Sequence, residues 1–247
     1  MNNNARTLVA IACGLALSQS AAADTINPTE DVMTSSFFQG TNTVRGYPGD
    51  NRPVMRVSTD GAFGNAGAET IYLSFSAADF SGYSGPVIAT LTMQSTEGGF
   101  GADAGAANPF TVSAHAVNAD PLTNITDNTN PGGAISWLDF YNSNILAADS
   151  AASTVINSFG SVSFNVSGIV NSWIDGSNTV FSIAMTGKND TSGADILHGF
   201  INNNDTAGAF GSTYLTVTAV PEPETYAMLL AGLGMTGWMV RRKRQPG

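Results

Sequence analysis

The chain has 247 residues, nine Lys and Arg against 19 Asp and Glu, a net charge of −10 and a single cysteine. Between residues 24 and 220 the balance is steeper, with only Arg45, Arg52, Arg56 and Lys188 against 17 carboxylates. That excludes nucleic acid and anionic lipid as partners of the middle segment, since both are held by clustered cations, and it leaves neutral glycans and metal cations open.

The first 24 residues read MNNNARTLVAIACGLALSQSAAAD: one early cation, Arg6, an apolar core from Leu8 to Leu17, then Ala21, Ala22 and Ala23 before Asp24. This is the layout of an export signal peptide spanning residues 1–23. Cys13 lies inside the apolar core, without the sequence context of a lipidation site. Cleavage after Ala23 therefore leaves a mature protein with no disulfide, no thiolate metal ligand and no cysteine nucleophile. Packing alone must hold it.

Residues 24–219 are expected to form one extracellular domain, because no internal linker interrupts them. Their hydrophobic period is two. Ile71, Leu73 and Phe75 alternate with Tyr72 and Ser74; Val87, Ala89, Leu91 and Met93 alternate with Ile88, Thr90 and Thr92; Val162, Phe164 and Val166 alternate with Ser163 and Asn165. Each reads as a strand with one buried face. Met55 to Ser58, Phe110 to Val117, Thr179 to Met185 and Ser212 to Ala219 are further strands, separated by turn-rich segments. The pattern predicts an all-β, jelly-roll-like sandwich. Ile145 to Ser158 is the one stretch that reads as a short helix.

Within this domain the aromatic side chains are the natural glycan contacts, since sugar CH groups stack on ring faces beside amide and carboxylate acceptors. SWLDFYN, Ser136 to Asn142, groups Trp137, Asp139 and Tyr141 and is the preferred contact segment; Tyr72, alternating against Ile71 and Leu73, is expected to face solvent or a groove. Trp173, after a strand and a short helical turn, reads as a core residue. Loops Ser58 to Asn65 and Gly187 to Asp195 supply oxygen ligands and glycine turns of the kind Ca²⁺ sites use, without EF-hand spacing and without a defined ligand set. His115 and His198 stand outside any ligand or triad motif, and neither a Gly-x-Ser-x-Gly elbow nor HExxH is present. The expectation is a non-catalytic protein, its alternatives a self-associating structural protein without a specific ligand and, behind that, a polysaccharide hydrolase or lyase built on carboxylates from distant strands.

The chain then runs into VPEPETYAMLLAGLGMTGWMVRRKRQ, Val220 to Gln245. Tyr226 to Val240 is a 15-residue uncharged run, roughly 22 Å as helix against roughly 30 Å of hydrocarbon. It is predicted as a short transmembrane helix, with Tyr226 and Trp238 near its ends and Arg241, Arg242, Lys243 and Arg244 on the cytoplasmic side. Pro221, Glu222 and Pro223, the apolar run and the four cations, in that order, closely resemble the PEP-CTERM sorting signal of Gram-negative bacteria, here spanning residues 220–247. The resemblance implies that the tail is temporary. An exosortase, a membrane transpeptidase-like enzyme, recognises the tripeptide and processes the protein after export and transient insertion in the inner membrane. It further implies a destination at the cell surface or in an extracellular matrix, among bacteria that make exopolysaccharide.

A second resemblance covers roughly residues 36–219. YLSF (Tyr72 to Phe75), VIATLTM (Val87 to Met93), VSFNVSGIVNSWIDG (Val162 to Gly176) and YLTVT (Tyr214 to Thr218), in that order, look like a DNRLRE-type, or carbohydrate-binding family 96-like, β-sandwich module. Asn165-Val166-Ser167 and Val170-x-x-Trp173-x-x-Gly176 stand where that family has an Asp-Val-Thr-like step and Val-x-x-Trp-x-x-Gly. Ser76 replaces the acid expected after Phe75, and HGFINNNDTAG lacks arginine. What the resemblance implies is the sandwich and, with it, extracellular polysaccharide as a ligand class.

Overall fold

The structure, a computed structural model, describes residues 23–35, 43–44, 54–58, 69–98, 102–126, 133, 135–147, 152–189, 196–201, 213–220 and 230–235. Asp24–Val217 packs as one compact unit; Met1–Ala23 and Thr218–Gly247 form another. The larger unit is a two-sheet β-sandwich.

One sheet carries β1 (Ala23–Ile26), β12 (Tyr214–Ala219), β6 (Val87–Glu97), β11 (Leu197–Ile201) and β4 (Val54–Ser58) in that spatial order, with β9 (Gly160–Asn165) also paired to β6. The other runs β3 (Thr43–Val44), β2 (Glu30–Ser35), β5 (Glu69–Ser74), β10 (Ser182–Asn189), β7 (Phe110–Ala116) and β8 (Ser153–Ile156). The ladders β2–β5, β5–β10, β10–β7, β7–β8, β4–β11, β11–β6 and β6–β9 are antiparallel. The seven strands expected from the sequence are all present, the one expected over Thr179 to Met185 running instead over Ser182–Asn189.

Alternation fills the space between the sheets. Ile71, Leu73, Val112, Ala114, Ile183 and Met185 meet Met55, Val57, Leu91, Met93, Phe164, Leu215 and Val217 in one cluster. Each of these is wholly buried or nearly so. At roughly 1.5–3 kcal/mol per fully buried aliphatic side chain, this cluster is the main source of stability.

β5 is buried along its entire length, because its sheet has a second covered face. Val32, Tyr72 and Ala184 point away from the sandwich core and pack with Val117, Ile125 and Phe140. The cover is the connection from β7 to β8, which folds into helices α1 (Pro121–Asn124) and α2 (Trp137–Asn144). Asp120 caps α1 through Leu122 N, and Ser136 caps α2 through Asp139 N, each side chain satisfying a backbone donor that the helix leaves open. Between the helices the backbones of Ile125 and Gly133 touch so closely that a Cβ on Gly133 would lie 2.5 Å from Ile125 C and O. Only glycine fits there. The helix expected from Ile145 to Ser158 is not formed: Ile145 bridges to Val117, and Ser153–Ile156 is β8. The helix of this region starts earlier, where Ser136 supplies the cap.

Helix α3 (Ser167–Ile174) closes one end of the sandwich and explains two motifs of the sequence. β9 pairs with β6 from Thr90 to Ser95; beyond that point side chains continue the ladder. Ala89 N donates to Ser167 Oγ at 3.0 Å and Val166 N donates to Ala89 O at 3.0 Å. The Asn171 amide then matches one residue's backbone on both sides, accepting from Val87 N at 2.8 Å and donating to Val87 O at 3.0 Å. On the opposite face of α3, Trp173 enters the core against Phe75, Phe80 and Phe181, with ring centroids 5.2 Å from Phe80. Gly176 follows at φ +76°, the left-handed position that ends the turn. Asn165-Val166-Ser167 and Val170-x-x-Trp173-x-x-Gly176 are thus parts of a clamp between a helix and a strand.

Asn171→Ala should therefore lower unfolding stability by about 2 kcal/mol, because both backbone groups of Val87 lose their partner. Asn171→Asp should recover little, since a carboxylate accepts from Val87 N but repels Val87 O. Urea unfolding of the two variants measures this; an unchanged midpoint for Asn171→Ala would show that water replaces the amide.

Candidate functional site

Helix α2 holds three of the four side chains singled out as glycan contacts. At 100° per residue Trp137, Phe140, Tyr141 and Asn144 share one stripe, and Asp139 lies across the helix from it. Phe140 is buried and meets the Tyr72 ring edge-on, with centroids 5.5 Å apart. Trp137 is half-buried against the same cluster. Tyr141 is half-buried and close enough to raise the Tyr72 pKa electrostatically. The exposed Asp139 carboxylate accepts from Ser136 Oγ at 2.7 Å, part of the cap.

Tyr72 corrects the sequence reading. Expected to face solvent or a groove, it is 1% exposed, because alternation puts it on the face that α2 covers. Burial is the main cause of a phenol pKa pushed well above its ordinary value. The Thr34 hydroxyl, its polar neighbour, opposes that rise only in part. Structure thus brings Tyr72, Trp137 and Tyr141 together as a packing cluster beneath and along a helix, with Asp139 turned elsewhere.

The two histidines are structural in different ways. His115 lies beside the start of β8's connection: Nδ1 meets Leu146 O at 2.8 Å and Nε2 meets Thr186 Oγ1 at 2.8 Å. A carbonyl can only accept, so Nδ1–H donates and Nε2 accepts from the threonine in the neutral ring. Burial lowers the His115 pKa, opposed by the bond to Leu146. His198 is wholly buried, with Nε2 2.8 Å from Ser95 Oγ and, among the described residues, no hydrogen-bond partner for Nδ1. Phe159 stacks on the His198 ring at 5.9 Å, and Phe200 and Phe110 meet it edge-on.

The surface that alternation does leave open is the outer face of β6 and β9. Thr90, Thr92 and Gln94 stand opposite Asn165, Ser163 and Ser161 in register, with Thr96 and the exposed Ile88 on the same strand. Thr216 and Tyr214 continue this polar alternation on β12. None of these residues is charged. The Thr-x-Thr-x-Gln-x-Thr spacing on β6 is the sequence signal of this face. Near one end Tyr83 Oη donates to Asp24 Oδ2 at 2.5 Å and fixes β1; burial and this carboxylate push the phenol up to about 12.

Among the described residues no group of three or more His, Cys, Asp and Glu is placed to hold a metal ion. Most of Ser58 to Asn65, and the end of Gly187 to Asp195, lie outside the described residues, so the Ca²⁺ loops are not placed by the structure. Pro221, Glu222, Pro223, Arg241, Arg242, Lys243 and Arg244 also lie outside them.

Of the C-terminal apolar run, 230–235 is helical, and Leu230, Leu233 and Met235 are all exposed, Leu230 by 68%. Apolar side chains on every side of a helix suit lipid rather than water. Among the described residues no helix is long and apolar enough to cross a membrane, and the remainder of the helix predicted over residues 226–240 lies outside them. The strand β12 ends at Ala219, where this segment begins.

Residues 219–244 match the PEP-CTERM protein-sorting motif. No curated protein matches the chain. The PEP-CTERM motif implies an exported protein with exosortase as its processing partner and a membrane-associated stage before processing. The sandwich stands directly upstream of this signal, its last strand running into the first matched residue.

The His198 environment gives a pH dependence. Burial lowers its pKa from the ordinary 6.5 to about 4, so the folded state favours the neutral ring. That contribution is complete above the unfolded value and is lost as pH falls from about 6.5 towards 4, by on the order of 3 kcal/mol. Urea midpoints measured across this range should fall more steeply for the native protein than for His198→Gln. Parallel curves would mean that the His198 ring takes up its proton without cost.

Proposed function

We propose that this chain is an exported, exosortase-processed, non-catalytic β-sandwich protein of the cell surface or extracellular matrix. The observation that carries the reading is the conjunction of a PEP-CTERM motif at 219–244 with a sandwich whose deepest aromatics are committed to packing. Tyr72, Phe140 and Trp173 fill cores, and the open face of β6 and β9 is covered by Thr, Ser, Gln and Asn. Such a face makes many weak polar contacts and suits a matrix component. The non-catalytic part of the reading is supported by His115 and His198, each held in a structural setting. The destination after processing is part of the proposal, as is passage through the inner membrane.

A second reading is exopolysaccharide binding, in keeping with the likeness to carbohydrate-binding family 96-like sandwiches. Trp137 and Tyr141 favour it: both are half-exposed and stand four residues apart on the outermost helix, where two rings can stack on one glycan. Ca²⁺ would be an accessory of that binding. The alternative within the first reading is a self-associating structural protein with no specific ligand.

Purified residues 24–220 should be passed over a panel of extracellular polysaccharides, that of the source organism included, with and without Ca²⁺. Retention that drops at least tenfold in Tyr141→Ala while the fold persists would establish the binder. Absence of retention for a folded domain leaves the matrix component without a glycan ligand. For the sorting step, Pro221→Ala with Pro223→Ala should leave export intact and accumulate an unprocessed membrane form; normal processing of that variant would sink the exosortase assignment.

A further inference from the structure

The distance along the chain between fold and sorting signal is almost nil. β12 ends at Ala219, the first residue of the matched motif, and Val220 alone separates it from Pro221. This is no loosely attached edge strand. It lies between β1 and β6 in its sheet, and Leu215 and Val217 are wholly buried in the main core. Thr213, just ahead of it, is buried and donates to Ile201 O.

An enzyme that acts on a peptide bond takes its substrate as extended chain and commonly reads backbone N–H and C=O groups on either side of the recognised residues. Here the residues upstream of the tripeptide belong to a strand with a neighbour on each side. The backbone groups that pair β12 with β1 and β6 cannot bind an enzyme at the same time. Downstream, the apolar run begins at Tyr226, seven residues past Ala219 and so at most roughly 23 Å away when fully extended. Little free chain is on offer.

We propose that docking of β12 into the sheet and engagement of the exosortase are mutually exclusive: the end of β12 has to leave the sheet, or not yet have entered it, for processing to occur. This rests on the exosortase reading and adds to it a regulation by the fold. The sandwich slows its own release until the end of β12 opens. Ends of strands open far more readily than cores, so the restraint delays processing without blocking it.

The test follows pulse-labelled full-length chain in cells that carry the exosortase, reading the ratio of unprocessed to processed protein with time. Eight Gly and Ser residues inserted between Val220 and Pro221 should speed processing by about tenfold, the order expected when a few backbone hydrogen bonds no longer need to break. The same insertion between Glu224 and Thr225, which lengthens only the path to the apolar run, should not speed it. Leu215→Ala should speed processing in the chain without a linker and have no further effect in the chain with one. A wild-type rate for the upstream insertion, or equal acceleration by the downstream one, overturns the proposal. The variant lacking Pro221 and Pro223 is run alongside: if it is processed normally, the exosortase reading itself fails, whereas its arrest together with a neutral upstream insertion removes only this inference.

Discussion

A sheet covered on both faces must supply two cores from one set of strands, and the rest of this domain follows from that demand. In β5, Ile71 and Leu73 serve the space between the sheets while Tyr72 serves the space under α2. The same division holds in β10, where Ile183 and Met185 go one way and Ala184 the other. With the cysteine confined to the predicted signal peptide and few charges available, burial of apolar area is the only large favourable quantity left. Covering a second face with the β7–β8 connection adds to it without adding strands.

That economy explains where the aromatics went. Phe140 and Tyr72 join the helical cover to the sheet, and Phe75, Phe80, Trp173 and Phe181 plug the end closed by α3. Rings used in this way contribute area and edge-to-face attraction and are withdrawn from any surface. The open face of β6 and β9 is consequently polar and neutral. Carboxylates sit elsewhere, at turns and caps such as Asp120, Asp139 and Asp175, where they accept from backbone or hydroxyl donors.

Legibility in the sequence tracked the same physics. Strands with one wet face, such as Val87–Glu97 and Gly160–Asn165, announced themselves by alternation. Leu197–Ile201 did not, because every residue of it is buried and its short run contains His198 and Gly199. Glu30–Ser35 was hidden by its two leading carboxylates. Tyr72 shows the deeper limit: a period of two says that neighbours face opposite ways, but not whether the second face meets water or another layer. Helix α2 was masked by Trp, Phe and Tyr, residues that favour strands in isolation, while the alanines after Ile145 suggested a helix that tertiary pairing overrides. Trp173 was legible as core because an apolar ring at the end of an amphipathic turn has few other places to go. The sorting signal was legible through its resemblance to the PEP-CTERM motif, which lies in the order of proline, glutamate, proline, apolar run and cations.

The separation of charge completes the picture. Four of the nine cations, Arg241, Arg242, Lys243 and Arg244, lie beyond the apolar run, and the segment from 24 to 220 keeps only four against its 17 carboxylates. Cations at one end of an apolar segment hold that end on the cytoplasmic side, while a domain poor in Lys and Arg has no such bias opposing its export. A net-acidic segment repels other acidic chains. Fold and signal thus use different physics and are read separately, one by burial and one by order of charge. They meet only at Ala219, where the last strand of the fold becomes the first residue of the signal.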